Sequence, residues 1–169
     1  APPHPGRICD RGRSADPVYP WRMREPSSRS SAPVFDQLEQ VLPRVSKPVQ
    51  YIGGELNAAA KDWDAARVRW ALMYPDAYEV GLPNQGVQIL YEVLNEAEGV
   101  LAQRTYSVWP DLESLMRERG IPAFTVDGHR PLGAFDLIGV SFSTELGYTN
   151  MLTSLALAGI PLISHARGA

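Results

Sequence analysis

The sequence is poor in the residues that metal and redox chemistry needs. It holds one cysteine, Cys9, and three scattered histidines, His4, His129 and His165. A single cysteine excludes an intrachain disulfide and suits a reducing compartment, so a cytoplasmic location is expected. No His/Cys/carboxylate cluster has metal-ligand spacing, and no metal ligand is assigned. No run reaches the roughly 18 apolar residues that span a bilayer, and no signal-peptide core is visible; no membrane partner is expected. The dinucleotide fingerprint G-x-G-x-x-G is missing, as is a phosphate loop with its Lys-Ser/Thr. Ser141 and Ser143 lack the G-x-S-x-G frame of a nucleophile elbow. Asp76, Glu79 and Glu145 could act as acid–base groups, but a lone carboxylate is more often a cap or a solvated charge. No catalytic residue is assigned.

What remains is ordinary in amount and uneven in distribution. The chain has 169 residues, 44% of them hydrophobic, enough for one domain with a true core. Residues 1–33 are rich in Pro, Ser and Arg and show no apolar periodicity. They carry six arginines against Asp10, Asp16 and Glu25, a balance of +3. They read as a disordered or peripheral basic arm. The other residues carry 10 basic and 16 acidic groups, a balance of −6. An acidic body argues against a nucleic-acid surface, because phosphate binding draws on clustered Lys and Arg. The chain opens on Ala1 and not Met, so its start is expected to lie outside this sequence.

Residues 34–67 read as a lead-in. A short helix is predicted at "FDQLEQVL", with Phe35, Leu38 and Leu42 on one side, followed by an extended stretch in which "YIGGELN" makes a tight turn. From residue 68 a rhythm sets in. "VRWALMY" is a nearly continuous apolar run, as in a strand buried on both faces, and Pro75-Asp76 is expected to end it. Val87, Leu90, Tyr91 and Leu94 then recur at helical spacing up to Gly99. "VLAQRTYS" reads as a strand. A helix from about Pro110 carries Leu112, Leu115 and Met116 and stops at Gly120. "FDLIGVSF" is a clear strand. Tyr148, Met151, Leu152 and Leu155 mark a helix ending at Gly159, and "IPLIS" begins a further strand. Glycine accepts the left-handed conformation that closes a helix. Strand, helix, glycine, strand, repeated, predicts right-handed crossovers and a parallel sheet. The expected fold over 68–169 is α/β and doubly wound, a Rossmann-like, mostly parallel sheet of the flavodoxin or cobalamin-binding type. The sheet is expected to be truncated, because the last strand candidate has no helix after it to cover it.

Open parallel sheets bind ligands beyond the carboxyl ends of their strands, where strand order reverses. Two loops fall there, "PDAYEVGLPNQG" and "SFSTELGYTN". Asp76, Tyr78, Pro83, Asn84, Gly86, Ser141, Ser143, Thr144 and Glu145 are therefore expected to line one shared cleft. Small and polar side chains beside a helix start suit carboxamide, carboxylate or phosphate groups.

Longer words are more specific than this rhythm. "KPVQYIGGELN", "KDWD", "YPDAYEVGLPNQGVQILYEVLNE", "WPDLESLMRERGIPAF" and "FDLIGVSFSTELGYTNMLTSLALAGIPL" follow one another over residues 34–163. Together they resemble the N-terminal part of a bacterial radical SAM protein family, in which a cobalamin-binding-like domain precedes a radical S-adenosylmethionine barrel. The resemblance implies that the four-iron cluster and S-adenosylmethionine belong to a C-x-x-x-C-x-x-C motif outside this sequence, since Cys9 stands alone. The fragment is then not catalytic by itself, and its partner is its own downstream barrel. Cobalamin is the cofactor the resemblance implies for the two loops. The D-x-H-x-x-G motif that supplies a lower cobalt ligand in many such folds is missing, so any cobalamin here is expected to lack a protein histidine ligand. Two other readings stand beside this one: an interaction domain that docks on the barrel without a cofactor, and a flavodoxin-like domain that binds a nucleotide or flavin.

Overall fold

The computed structural model describes residues 33–167; the basic arm lies outside the described residues except for Pro33. The lead-in starts with α1 (Phe35–Glu39), continues through two 3-10 turns at Leu42–Arg44 and Pro48–Tyr51, and reaches β1 (Val68–Ala77). A one-turn helix, α2 (Tyr78–Gly81), follows, then α3 (Gln85–Glu96) and β2 (Val100–Ser107). Beyond these come α4 (Pro110–Arg119), a long loop, β3 (Leu137–Val140) and α5 (Gly147–Leu157). The three strands form one parallel sheet in the order β2-β1-β3. Trp70 through Met73 pair with Ala102 through Thr105 on one side and with Leu137 through Val140 on the other.

Strand alternation sends β1 side chains to two different cores. Leu72 and Tyr74 meet Val87 and Tyr91 of α3, with Ala102 and Tyr106 from β2. Ala71 and Met73 face the opposite way, onto Ala158, Leu132 and the α5 residues Met151 and Leu157. Helices thus cover both faces, which makes the apolar run of β1 legible. A third core joins α1 and the first 3-10 turn to α4 through Leu38, Val41, Leu42, Leu112, Leu115 and Met116. Of the helix predicted at "FDQLEQVL" only Phe35–Glu39 forms, Leu42 falling in the following 3-10 turn, while Leu38 and Leu42 are buried as expected.

Several sequence expectations need correction. Pro75-Asp76 does not end the first strand: β1 runs on to Ala77, and only the pairing slips there, from Tyr74↔Tyr106 to Ala77↔Ser107. Proline removes a ladder donor without forbidding extended backbone, so the register breaks and the strand does not. The strand in "FDLIGVSF" is confined to four residues. "IPLIS" is not a strand: Leu162 and Ile163 are exposed and run into a 3-10 turn at Ser164–Arg167. Helix α3 stops at Glu96, three residues short of Gly99. Leu90 on α3, and Tyr148 and Leu152 on α5, face outward and not into a core. The other two glycine stops hold, with Gly120 at φ 68° and Gly159 at φ 65°.

Candidate functional site

The order β2-β1-β3 reverses direction at β1, so the switch point lies between the carboxyl ends of β1 and β3, where sheets of this type hold ligands. The segments after both strands meet there. Tyr74 donates its hydroxyl to Ser143 Oγ at 2.8 Å, and Asn150 Nδ2 donates to the Pro75 carbonyl at 3.1 Å. Gly147, at the first position of α5, is buried against Pro75 and Phe142; a Cβ there would stand 3.0 Å from the proline ring. Ser141 continues the ladder by donating its N–H to Met73 O. Ser143, Thr144 and Glu145 are exposed on the outer rim.

The residues of the first loop divide. Asp76 turns back on its own chain, accepting from the Ala77 N–H at 2.7 Å. Asn84 caps α3, its Oδ1 accepting from Val87 N at 3.1 Å, which satisfies one of the free donors of the first helical turn. Gly86 and Pro83 are exposed beside it. Tyr78 points the other way, toward β2, where its ring meets Tyr106 edge-on at 5.4 Å. The two loops are thus joined through Tyr74 and Pro75, while Tyr78 belongs to a second polar centre.

That second centre escaped the sequence reading. Arg104, near the middle of β2, is held at 3% exposure with a carboxylate wrapped around it. Its Nη2 donates to Asp127 Oδ1 at 2.6 Å, its Nε to Asp127 Oδ2 at 3.3 Å, and its backbone N–H to Oδ2 at 2.6 Å. Nη1 donates to Gln88 Oε1, and the guanidinium lies 4.2 Å from the centre of the Tyr91 ring. Burial works against the charged form of Arg104, but the hydrogen bonds and charge of Asp127 outweigh it and raise its pKa. Glu55 Oε2 stands 3.9 Å from Nη2, and Glu55 Oε1 accepts from the Tyr78 hydroxyl at 3.0 Å. Burial, together with that bond and the carboxylate's charge, pushes the Tyr78 phenol up to about 12. Glu55 reaches this place because Gly53 and Gly54 turn the chain with φ of 68° and 83°. Only Gly fits at 53, since a Cβ would stand 2.4 Å from Val126 O. The sequence signal was "GGE": a paired glycine turn delivering a carboxylate, with its Arg and Asp partners 49 and 72 residues further along.

A strap formed by residues 45–56 closes this centre. Ser46 N donates to Asp111 Oδ2, and Trp109 N donates to the Tyr51 hydroxyl. Lys47 pairs with Glu79 and lies over the Trp109 ring at 4.3 Å. The Lys47 hydrogen bond is the main reason that the Glu79 carboxyl falls to about 2. His129, one of the three scattered histidines, bonds the Tyr51 carbonyl through Nε2 and so serves the strap. Among the described residues no group of three or more His, Cys, Asp or Glu side chains could hold a metal ion. At the opposite end of the sheet, an open groove of about 430 Å³ lies beside Lys61, Glu98 and Gly99. Lys61 Nζ donates there to the Ala97 and Val100 carbonyls, so the groove follows from how the end of α3 is packed, far from the switch point.

An open parallel α/β sheet whose switch point is bordered by hydroxyl side chains defines the class. Within it, residues 86–169 match the family described as radical SAM proteins, N-terminal. The match runs from the first turn of α3 through β2, α4, β3 and α5. The match covers 84 of the chain's 169 residues, and over those residues the chain is similar to the N-terminal region of radical SAM proteins. Neither a curated protein nor a solved structure matches the chain. Among the described residues no helix is long and apolar enough to cross a membrane.

Proposed function

We propose that this chain is the cobalamin-binding-like N-terminal domain of a radical SAM enzyme and serves a catalytic barrel that carries the iron–sulfur cluster and S-adenosylmethionine. The observation that carries the reading is the β1/β3 switch point, bordered by Ser141, Ser143 and Thr144, in a chain whose residues 86–169 match the radical SAM N-terminal family. Those residues fit the group in part. The hydroxyls of half-buried Ser141 and of exposed Ser143 and Thr144 suit the carboxamide arms of a corrin, and Gly147 keeps the floor low. No histidine lies in either loop, so this chain would hold such a cofactor by its periphery and would offer it no imidazole ligand. Cobalamin, if bound, would supply cobalt chemistry; the chain's own part would be to seat and orient it and to exclude water.

The test is retention. Hydroxocobalamin mixed with the purified protein should stay with it through a desalting column and change its absorption spectrum. Ser141→Trp, placed on the rim, should abolish retention while the circular dichroism stays unchanged. Retention that survives Ser141→Trp places the site elsewhere, and no retention at all sinks the cofactor reading. A second reading, a domain that only docks on the barrel, is favoured by one specific feature. Helix α3 buries Val87 and Tyr91 but turns Ile89, Leu90 and Val93 outward, each at least half exposed.

A further inference from the structure

Helix α3 turns two columns of side chains outward. Ile89 and Val93 are 59% and 57% exposed, with Leu90 beside them at 50%. Glu92 and Glu96, one helical turn apart, form a second exposed column along the flank of the first. Among the described residues neither glutamate forms an ion pair. Lys61 and Arg67, packed against the end of α3, are spent on the backbone carbonyls of Ala97, Val100 and Glu98. A helix face with apolar and acidic columns side by side is complementary to a segment that pairs apolar with basic side chains.

The chain carries such a segment. Residues 1–33 show no apolar periodicity as a whole, yet both of their aromatic residues and most of their large apolar ones fall together in "VYPWRMR", residues 18–24. Tyr19, Trp21 and Met23 stand there with Arg22 and Arg24, and no acid interrupts them. The connection to α3 is short. Val34 donates its N–H to His129 O, and Asp127, two residues earlier, accepts from the Tyr91 hydroxyl on the inner face of α3. The nine residues between Arg24 and Val34 reach up to about 30 Å, against a helix diameter of about 10–12 Å. A tether of that length gives an effective concentration on the order of millimolar, so weak contacts suffice. We propose that residues 18–24 pack on the outer face of α3, with Tyr19, Trp21 and Met23 on Ile89, Leu90 and Val93 and with Arg22 and Arg24 facing Glu92 and Glu96. The arm then shields the stripe on which a barrel would dock and has to be displaced before it does. The contact is independent of the β1/β3 switch point and of any cobalamin held there.

A spin label on the intact chain tests this. Cys9→Ser with Ser27→Cys places one nitroxide three residues beyond Arg24, and amide NMR signals are recorded before and after its reduction. Ile89, Glu92, Val93 and Glu96 should lose more signal to the label than Tyr148 and Leu152, exposed residues of α5 on the other face of the sheet. Glu92→Lys with Glu96→Lys should remove this selective loss. Salt raised to about 1 M should reduce it, since the screening length falls from about 10 Å at 0.1 M to about 3 Å. Arg22→Ser with Arg24→Ser, which leaves the described cores untouched, should also remove it and decides the matter if the α3 variant fails to fold. Equal loss on both helices overturns the proposal, as does a selective loss that survives either variant. Loss at α3 in a mixture of nitroxide-bearing chain with isotope-labelled chain that has none overturns it too, because the occupant is then a second copy. No loss at α3 overturns it and leaves the stripe open to the barrel.

Discussion

At the scale of single residues the molecule depends on one buried ion pair. Arg104 and Asp127 expose 4% and 3% of their side chains, and each satisfies the other almost completely. Removing one partner strands a charge in a low-dielectric interior, which costs about 3–5 kcal/mol. Asp127→Ala should therefore lower the unfolding free energy by about that amount in urea titrations, with the m-value retained. A loss below about 1 kcal/mol would mean that Glu55 takes over the guanidinium. The Lys47–Glu79 pair behaves differently because both side chains are well exposed, at 49% and 40%. Its worth is that of a solvent-screened pair, small in free energy but visible in pH dependence. The folded carboxyl titrates near 2 against an ordinary value of 4.5. A depressed carboxyl pKa contributes stability that is complete above about 4.5 and lost as pH falls toward 2. Trp109 fluorescence, which reports the strap through the overlying Lys47, should change across that window, and Lys47→Met should abolish the change.

At the scale of elements, α3 carries two faces with different duties. Asn84 starts it, and Asn95 near its end clamps it to β2 by donating to Ala102 O and accepting from Ala102 N. Its inner face is already committed to Leu72 and Tyr106. The outward Ile89, Leu90 and Val93 have no role in that core. If this stripe docks on the proposed catalytic barrel, Ile89→Lys with Val93→Lys should leave the melting temperature nearly unchanged, since exposed substitutions away from caps and cores move stability little. Binding to the separately produced barrel should weaken by about tenfold or more, some 1.4 kcal/mol, as read by isothermal titration. Undiminished binding would remove α3 from the interface. Periodicity alone predicted Leu90 on the buried side. It failed because a short amphipathic pattern gives the axis of an apolar stripe to within a residue or so, and the sheet decides which edge of the stripe it covers.

At the scale of the whole molecule, the two edges of the sheet are treated unequally. The outer edge of β2 is occupied: Asn95 bonds both backbone groups of Ala102, Val126 N donates to Arg104 O, and Asp127 accepts from Arg104 N. Such cover blocks further pairing on that side. β3 is the other edge, four residues long, with Leu137 at 45% exposure. The switch point therefore sits beside the less covered edge, so a partner approaching β3 would also approach Ser143 and Thr144. The Arg104 centre and its strap lie toward the covered edge, which suits a structural role more than contact with a large ligand.

The periodic apolar runs and the glycines at 120 and 159 were legible because each acts through neighbours in the chain. They determined a parallel α/β sheet, and they placed Ser141 and Ser143 beyond the carboxyl end of a strand. The tertiary structure alone decided the strand order, the continuation of β1 past Pro75, the failure of "IPLIS" to pair, and the meeting of Glu55, Arg104 and Asp127. Those outcomes depend on contacts between residues dozens of positions apart. Burial makes such contacts strong by removing water, and no local pattern records which distant partner will be there when the water leaves.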